Sequence, residues 1–175
     1  MTSNRLTSNR LLIGSGSWHW DGWLSIDGDP DNHPDIVAMV PPLPDAVKAM
    51  RFTTVLASHL IEHLTRNDAL ILLKECYAIL VEGGTLELEL PNLEYCCRVY
   101  LGYIDPPAGR SREQFGKQGI FGLPEVDPLM GHKYGYNPDE LTELVVEAGF
   151  NRDYVVLSAG KYHEPIRDYY LTVMK

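Results

Sequence analysis

Residues 52–57 (FTTVLA) are apolar and β-branched, and residues 67–81 repeat apolar side chains at spacings of three and four through Ala69, Leu70, Leu72, Leu73, Cys76, Tyr77 and Leu80. Residues 85–90 (TLELEL) then alternate with a period of two. The first and last patterns read as strands and the middle one as an amphipathic helix. That succession narrows the architectures sharply. Strands joined through a helix run parallel, because only antiparallel neighbours close through a short turn. Thr65 or Asn67 supplies the N-cap, and Gly83-Gly84 is expected to stop the helix.

The same alternation extends to both ends of the chain. Residues 10–13 read as a buried strand running into Gly14-Ser15-Gly16, residues 23–27 (WLSID) as a second strand ending in Asp27, and residues 35–40 (DIVAMV) as a third. A Pro-rich PPLP at 41–44 and a short helix over 45–50 follow. Residues 93–103 are aromatic-rich and read as helical, whereas 105–131 is loaded with Pro and Gly and reads as a long loop, a length usually kept for function or mobility. Asn137-Pro138-Asp139-Glu140 is an N-cap, an N1 proline and an N3 carboxylate, opening a helix to Ala148 that Gly149 stops. Two strands, at 154–158 and 169–173, finish the chain. The expected class is α/β: a mostly parallel Rossmann-like sheet with helices on both faces and ligands at the carboxyl ends of the strands. Gly14, Ser15 and Gly16 follow the first strand, Asp27 ends the second, Ser58 and His59 follow the fourth, and Pro91 and Asn92 follow the fifth.

At 175 residues and 19.7 kDa the chain fits one domain, 1–175, preceded by a polar arm at 1–9 in which TSNRL occurs twice. A net charge of −9 without a basic stripe disfavours nucleic acid, whose phosphates are bound through Lys and Arg. No apolar run reaches the ~18 residues of a membrane span and no export signal opens the chain, so a cytoplasmic protein with no membrane partner is expected. Cys76, Cys96 and Cys97 are odd in number and lack metal-ligand spacing, and they read as reduced thiols.

His59, Glu62 and His63 spell H-x-x-E-H, the signature of inverted zinc peptidases. A zinc hydrolase of that kind needs the two histidines one turn apart on a long helix, with a third ligand downstream. Here a strand ends directly before the motif, so a helix turn with structural or ligand-neighbouring roles is the better reading, and no metal is expected.

The segments IGSG at 13–16, the strand-end Asp27, ASHLIEHL at 57–64, LLKECYAILVEGGTLELELPNLE at 72–94 and HKYGYNPDELTELVVEAGF at 132–150 together resemble the small class I S-adenosylmethionine-dependent methyltransferases of the type 11-like kind. The likeness spans about 160 residues in the right order. It implies S-adenosyl-L-methionine as cofactor, with Gly14, Ser15 and Gly16 letting the backbone approach it, Asp27 accepting the ribose hydroxyls, and Ser58 beside the sulfonium. It implies a small-molecule or saccharide acceptor, with His59 or His132 as the base for a hydroxyl. Plainer roles stand beside these: Ser58 as a helix cap, His132 as a capping loop histidine, and Tyr134 and Tyr136 as core residues or stacking platforms.

Two departures from the family pattern stand out. Only residues 17–22 separate Gly16 from Trp23, so the first crossover helix is missing. After the third strand, Met39 or Val40 stands where many relatives place an acid for the adenine. A non-catalytic, methyltransferase-shaped binding module is therefore the alternative. Trp18, Trp20 and Trp23 either cover the bare sheet, line the cofactor mouth or pair across a homodimer axis, and their combined apolar area favours the homodimer.

Overall fold

The computed structural model describes residues 8–175, so most of the 1–9 arm lies outside the described residues. Seven strands form one sheet: β1 Arg10–Ile13, β2 Leu24–Asp27, β3 Ile36–Val37, β4 Phe52–Ser58, β5 Leu80–Pro91, β6 Val155–Ala159 and β7 Asp168–Met174, in the order β3-β2-β1-β4-β5-β7-β6. The first five are parallel, while β7 runs antiparallel to both β5 and β6. Strand order reverses between β1 and β4, the place where an open parallel sheet forms its ligand crevice.

One face is packed by helices. Leu11, Ile13, Ile26, Val55, Ala57, Leu86, Leu88 and Leu171 meet Val47 of α1 (Asp45–Lys48), Leu72 and Leu73 of α2 (Arg66–Ile79), and Leu141 and Leu144 of α5 (Pro138–Glu147) in one buried cluster. Both long helices start where their caps require: the Thr65 hydroxyl accepts from Asp68 N at 3.2 Å, and Asn137 and Glu140 form a reciprocal capping box. The end of α2 differs from expectation. The chain passes from Ile79 straight into β5, and Gly83 and Gly84 lie inside that strand, where the β4–β5 register shifts and a Cβ at Gly84 would meet Val81 O at 2.9 Å. The glycine pair serves a bulge rather than a helix stop.

The other face is thinner. No helix links β1 to β2, as the short link predicts, and the β2–β3 link holds only a 3₁₀ turn at Pro30–Asn32. Leu12, Leu56 and Tyr170 are covered by Trp18, Trp20, Trp23 and Tyr162. Trp18 and Trp20 stack at 5.2 Å, Trp20 meets Trp23 edge-on at 5.4 Å, and Tyr162 lies 5.8 Å and 5.4 Å from the first two. Four aromatic rings from loops thus stand where a crossover helix would pack.

The 105–131 stretch is more structured than its Pro and Gly content suggests. It contains a π-helical turn at Glu113–Lys117, α4 at Gln118–Phe121 and a 3₁₀ turn at Pro128–Met130. Gly116 and Gly119 are there for close approach to α3 (Leu93–Tyr100): a Cβ at Gly116 would sit 2.8 Å from Tyr100 N, and one at Gly119 would sit 2.3 Å from Cys96 Sγ. Cys76, Cys96 and Cys97 are all unbonded thiols, and burial raises the first two to about 12, which keeps them inert.

Candidate functional site

The carboxyl edge of β1 turns sharply onto β2. Gly14 and Ser15 both donate to Ile26 O, at 2.8 and 3.1 Å, and Gly14 and Gly16 have φ of 66° and 50°. Gly16 N then donates to Asp27 Oδ2 at 2.7 Å, so the two strand ends are tied by the residues that the sequence singles out. A Cβ at Gly14 would press on Leu60 at 3.1 Å, whereas at Gly16 it would meet nothing within 4 Å; the latter glycine is demanded by backbone angle alone. Asp27 Oδ1 accepts from Asp29 N at 2.9 Å and Asn32 Nδ2 at 3.2 Å. A carboxylate oxygen has two lone pairs, so Oδ1 is filled and Oδ2 keeps one acceptor position. Beyond β3, Met39 packs its sulfur over Gly28 and Val40 packs on the core.

The end of β4 carries a charged network. His59 has φ 51°, and its amide donates to Glu89 O at 2.8 Å. Its Nε2 lies 3.0 Å from Asp168 Oδ2 and its Nδ1 3.1 Å from Glu62 Oε1. Arg167 Nη2 and Glu164 N also donate to Asp168 Oδ2, at 2.9 and 3.1 Å. Burial works against charge on His59, yet the hydrogen bonds and charges of Asp168 and Glu62 win and raise it to about 9. Asp168 is correspondingly lowered to about 2 by His59 and Arg167, against its own burial. His59 is therefore an imidazolium near neutral pH, holding a proton that a base must lack. Both ring nitrogens face carboxylates, an arrangement that suits a clamp between β4 and β7 better than the catalytic role expected of it. His132 differs. Burial pushes this half-buried imidazole below the ordinary histidine range, which favours its neutral form.

The zinc-peptidase reading of His59, Glu62 and His63 fails on geometry. The motif occupies a left-handed residue followed by a 3₁₀ turn, Ile61–His63, rather than a long helix. His59 faces Asp168, whereas His63 directs Nδ1 at Gly131 O, 3.2 Å away, and packs edge-on against His132 at 4.9 Å.

The connection from β6 to β7 bends over this edge. Glu89 is buried and accepts from the amides of Tyr162 at 2.8 Å and His163 at 2.9 Å, which seats His163 between His59 (4.2 Å) and Trp18 (4.9 Å). Beyond His163 lies a hollow of about 350 Å³ lined by Arg110, Gln114, Phe115 and Arg167 among others, apart from Gly14 and Asp27. Among the described residues, three buried side chains carry polar atoms without a hydrogen-bond partner: Ser58 Oγ, both Glu62 oxygens and Tyr136 OH. They belong to the carboxyl ends of β4 and β5, where Asn92 bridges to Tyr136. Unpaired buried polar atoms are costly, and each calls for a water, an ion or a ligand to complete it. The expected helix-capping role for Ser58 is not seen.

Sequence reasoning brings Gly16 and Asp27 together correctly and puts Ser58 and His59 at the neighbouring strand end. It misses Asp168, Arg167 and Glu89. Asp168 opens an antiparallel strand whose amino end meets Pro91 at the same sheet edge, and the only signal in the sequence was the charged pair Arg167-Asp168 directly before the apolar run YYLTV.

No family model and no curated protein sequence matches the chain. Solved structures do. A SAM-dependent methyltransferase from Archaeoglobus fulgidus superimposes with a TM-score of 0.62 at 16% identity, covering 97% of this chain and 87% of that one. A SAM-dependent methyltransferase from Thermotoga maritima, described as a possible histamine N-methyltransferase, gives 0.60 at 16% identity, covering 95% and 81%. An S-adenosylmethionine dependent methyltransferase from Mesorhizobium loti gives 0.59 at 12% identity, covering 95% and 90%. The chain has the Rossmann-like class I methyltransferase fold.

Proposed function

We propose that the chain binds S-adenosyl-L-methionine at the carboxyl edge of β1, β2 and β4 and is a methyltransferase acting on a small-molecule or saccharide acceptor. The observation that carries this reading is the contact of Gly16 N with the Asp27 carboxylate beside the point where strand order reverses, in a sheet shared with S-adenosylmethionine-dependent enzymes. The residues fit the cofactor: Asp27 Oδ2 keeps one lone pair for a ribose hydroxyl, and the 3.2 Å bond from Asn32 to Oδ1 is the weakest of its contacts and the easiest to exchange for another. Gly14, Ser15 and Gly16 would hold the methionine side, and Ser58 Oγ offers an unused donor beside them. When bound, the cofactor supplies an electrophilic methyl on a sulfonium. The chain's share is then orientation and, for a hydroxyl acceptor, removal of a proton by neutral His132. Tyr134, 39% exposed and tilted on Tyr136 at 4.8 Å, offers a ring face to a sugar or aromatic acceptor. A net charge of −9 argues against an acceptor on nucleic acid, and no helix among the described residues is long and apolar enough to cross a membrane.

Calorimetry and thermal shift with S-adenosylmethionine and S-adenosylhomocysteine test the reading. Asp27→Ala is expected to weaken binding by about 1.5–3 kcal/mol, a ~10- to 150-fold rise in Kd, through loss of charge-assisted hydrogen bonds. Silence from both ligands at millimolar concentration refutes it. A second reading, a non-catalytic module of the same shape, is favoured by specific observations: three donors already occupy Asp27, and His163 leans on His59 under Trp18. It predicts that neither compound binds although the fold is intact.

A further inference from the structure

We propose that Glu62, His63 and His132 form a binding site for one divalent first-row transition-metal ion of the zinc or cobalt type. One carboxylate oxygen and two imidazole nitrogens lie within 4.8 Å of one another at the carboxyl edge of β4. Bonds of ~2.1 Å in a tetrahedral site put ligand atoms ~3.4 Å apart, so side-chain movements of about 1 Å close the set.

The independent observation is Glu62 itself. It is 1% exposed, and its Oε2 has no hydrogen-bond partner. Its Oε1 is paired with the His59 ring at 3.1 Å, whereas its Oε2 is buried with no partner. A buried carboxylate ordinarily collects donors on both oxygens, and one with an oxygen left over beside two imidazoles is placed to take a cation.

The histidines are arranged to match. His63 Nδ1 faces Gly131 O at 3.2 Å, which places its ring proton on that nitrogen and leaves Nε2 with its lone pair. A metal-binding histidine almost always gives its second ring N–H to a carbonyl or carboxylate, and His63 does so here. The two rings stand nearly perpendicular, at 84°. Two imidazoles with one carboxylate suit zinc, cobalt, iron or nickel, whereas magnesium and calcium prefer all-oxygen sets. Three protein ligands leave a coordination position open.

The neighbouring group of His59, Glu89 and Asp168 is equally compact but already satisfied: Glu89 takes two backbone amides and Asp168 takes Arg167 and His59. The chemistry suggested by H-x-x-E-H is thus met by its last two residues together with a histidine about 70 positions downstream. A lone pair given to a metal is withdrawn from proton transfer, so metal loading and a base role for His132 are mutually exclusive.

The test uses tag-free, full-length chain stripped with chelator, with no methyl donor present, so its outcome is separate from that for cofactor binding. Cobalt(II) is titrated and followed by visible absorption, and zinc(II) by calorimetry. The expected result is one equivalent bound, a cobalt spectrum of low-symmetry nitrogen and oxygen ligation, and affinity falling by at least about 100-fold in His132→Ala and in His63→Ala, with exposed His19→Ala unchanged. His132→Gln and His63→Gln replace the alanine variants if melting by circular dichroism shows that those fail to fold. Binding that is absent, or equal in the His132 and His63 variants and the parent chain, overturns the proposal; the latter would mark an adventitious ion on surface histidines.

Discussion

Replacing Asp168 by Asn is expected to lower stability by about 3–5 kcal/mol, the usual cost of deleting one partner of a buried ion pair, and to drop the melting temperature by roughly 10 °C for a chain of this length. Asp168 is buried and answers both His59 and Arg167, so an amide of the same shape leaves two cations facing a neutral group. The effect carries a pH signature. His59 is raised from 6.5 to about 9 on folding, so its contribution is full below pH 6.5 and is lost as pH climbs through 9. Asp168 is lowered from 3.8 to about 2, so its contribution is present above 3.8 and is lost as pH falls through 2. Melting curves of the parent chain should therefore decline from pH 6.5 to 9.5, by on the order of 3 kcal/mol, and the decline should flatten in Asp168→Asn. Parallel curves for the two chains would show that the pair does not titrate as described.

Trp18→Ala is expected to cost about 3 kcal/mol, or roughly 6–12 °C, measured by circular dichroism. Trp18 touches Trp20, Tyr162 and His163, so its removal takes away the centre of the aromatic cover over Leu12, Leu56 and Tyr170. A shift of less than 1 °C would mean that these rings do not support the sheet. The same residue bears on assembly. Three tryptophans invite pairing with a second copy, but here they find partners within their own chain, which weakens the case for a homodimer. Sedimentation equilibrium of the parent chain and of Trp18→Ala decides between a cover and an interface.

Much of the architecture is legible because local pattern and tertiary role agree. The period of two in TLELEL, the three-and-four spacing of α2 and the Asn137-Pro138-Asp139-Glu140 cap each report on one element alone, and each element is found. Reading fails where a residue answers to distant neighbours. Gly83-Gly84 looks like a helix stop but relieves a bulge against β4. The Pro- and Gly-rich 105–131 stretch hides two helical turns because Gly116 and Gly119 are there for contact with α3, which no local pattern encodes. The third strand shrinks from six residues to Ile36–Val37, since an edge strand with one neighbour needs little pairing.

The site divides along the same line. Gly14, Gly16 and Asp27 are recognisable because glycine and acid at successive strand ends are a short-range signal. His59 looked like a free base because its true partner, Asp168, is 109 positions away and arrives on an antiparallel strand. Glu62 and His63 looked structural, and His132 a possible base, because nothing local in the sequence shows that the fold gathers the three side chains at one edge.

Amide chemical-shift mapping with S-adenosylhomocysteine shows whether a methyl-donor cofactor lies across Gly16 and Asp27. The prediction is saturable shifts at the amides of Gly14, Ser15, Gly16, Gly28, Asp29, Ser58 and His59, reduced at equal ligand concentration in Asp27→Ala. Shifts confined to the hollow lined by Arg110, Gln114 and Arg167, or no shifts at millimolar ligand, would contradict it.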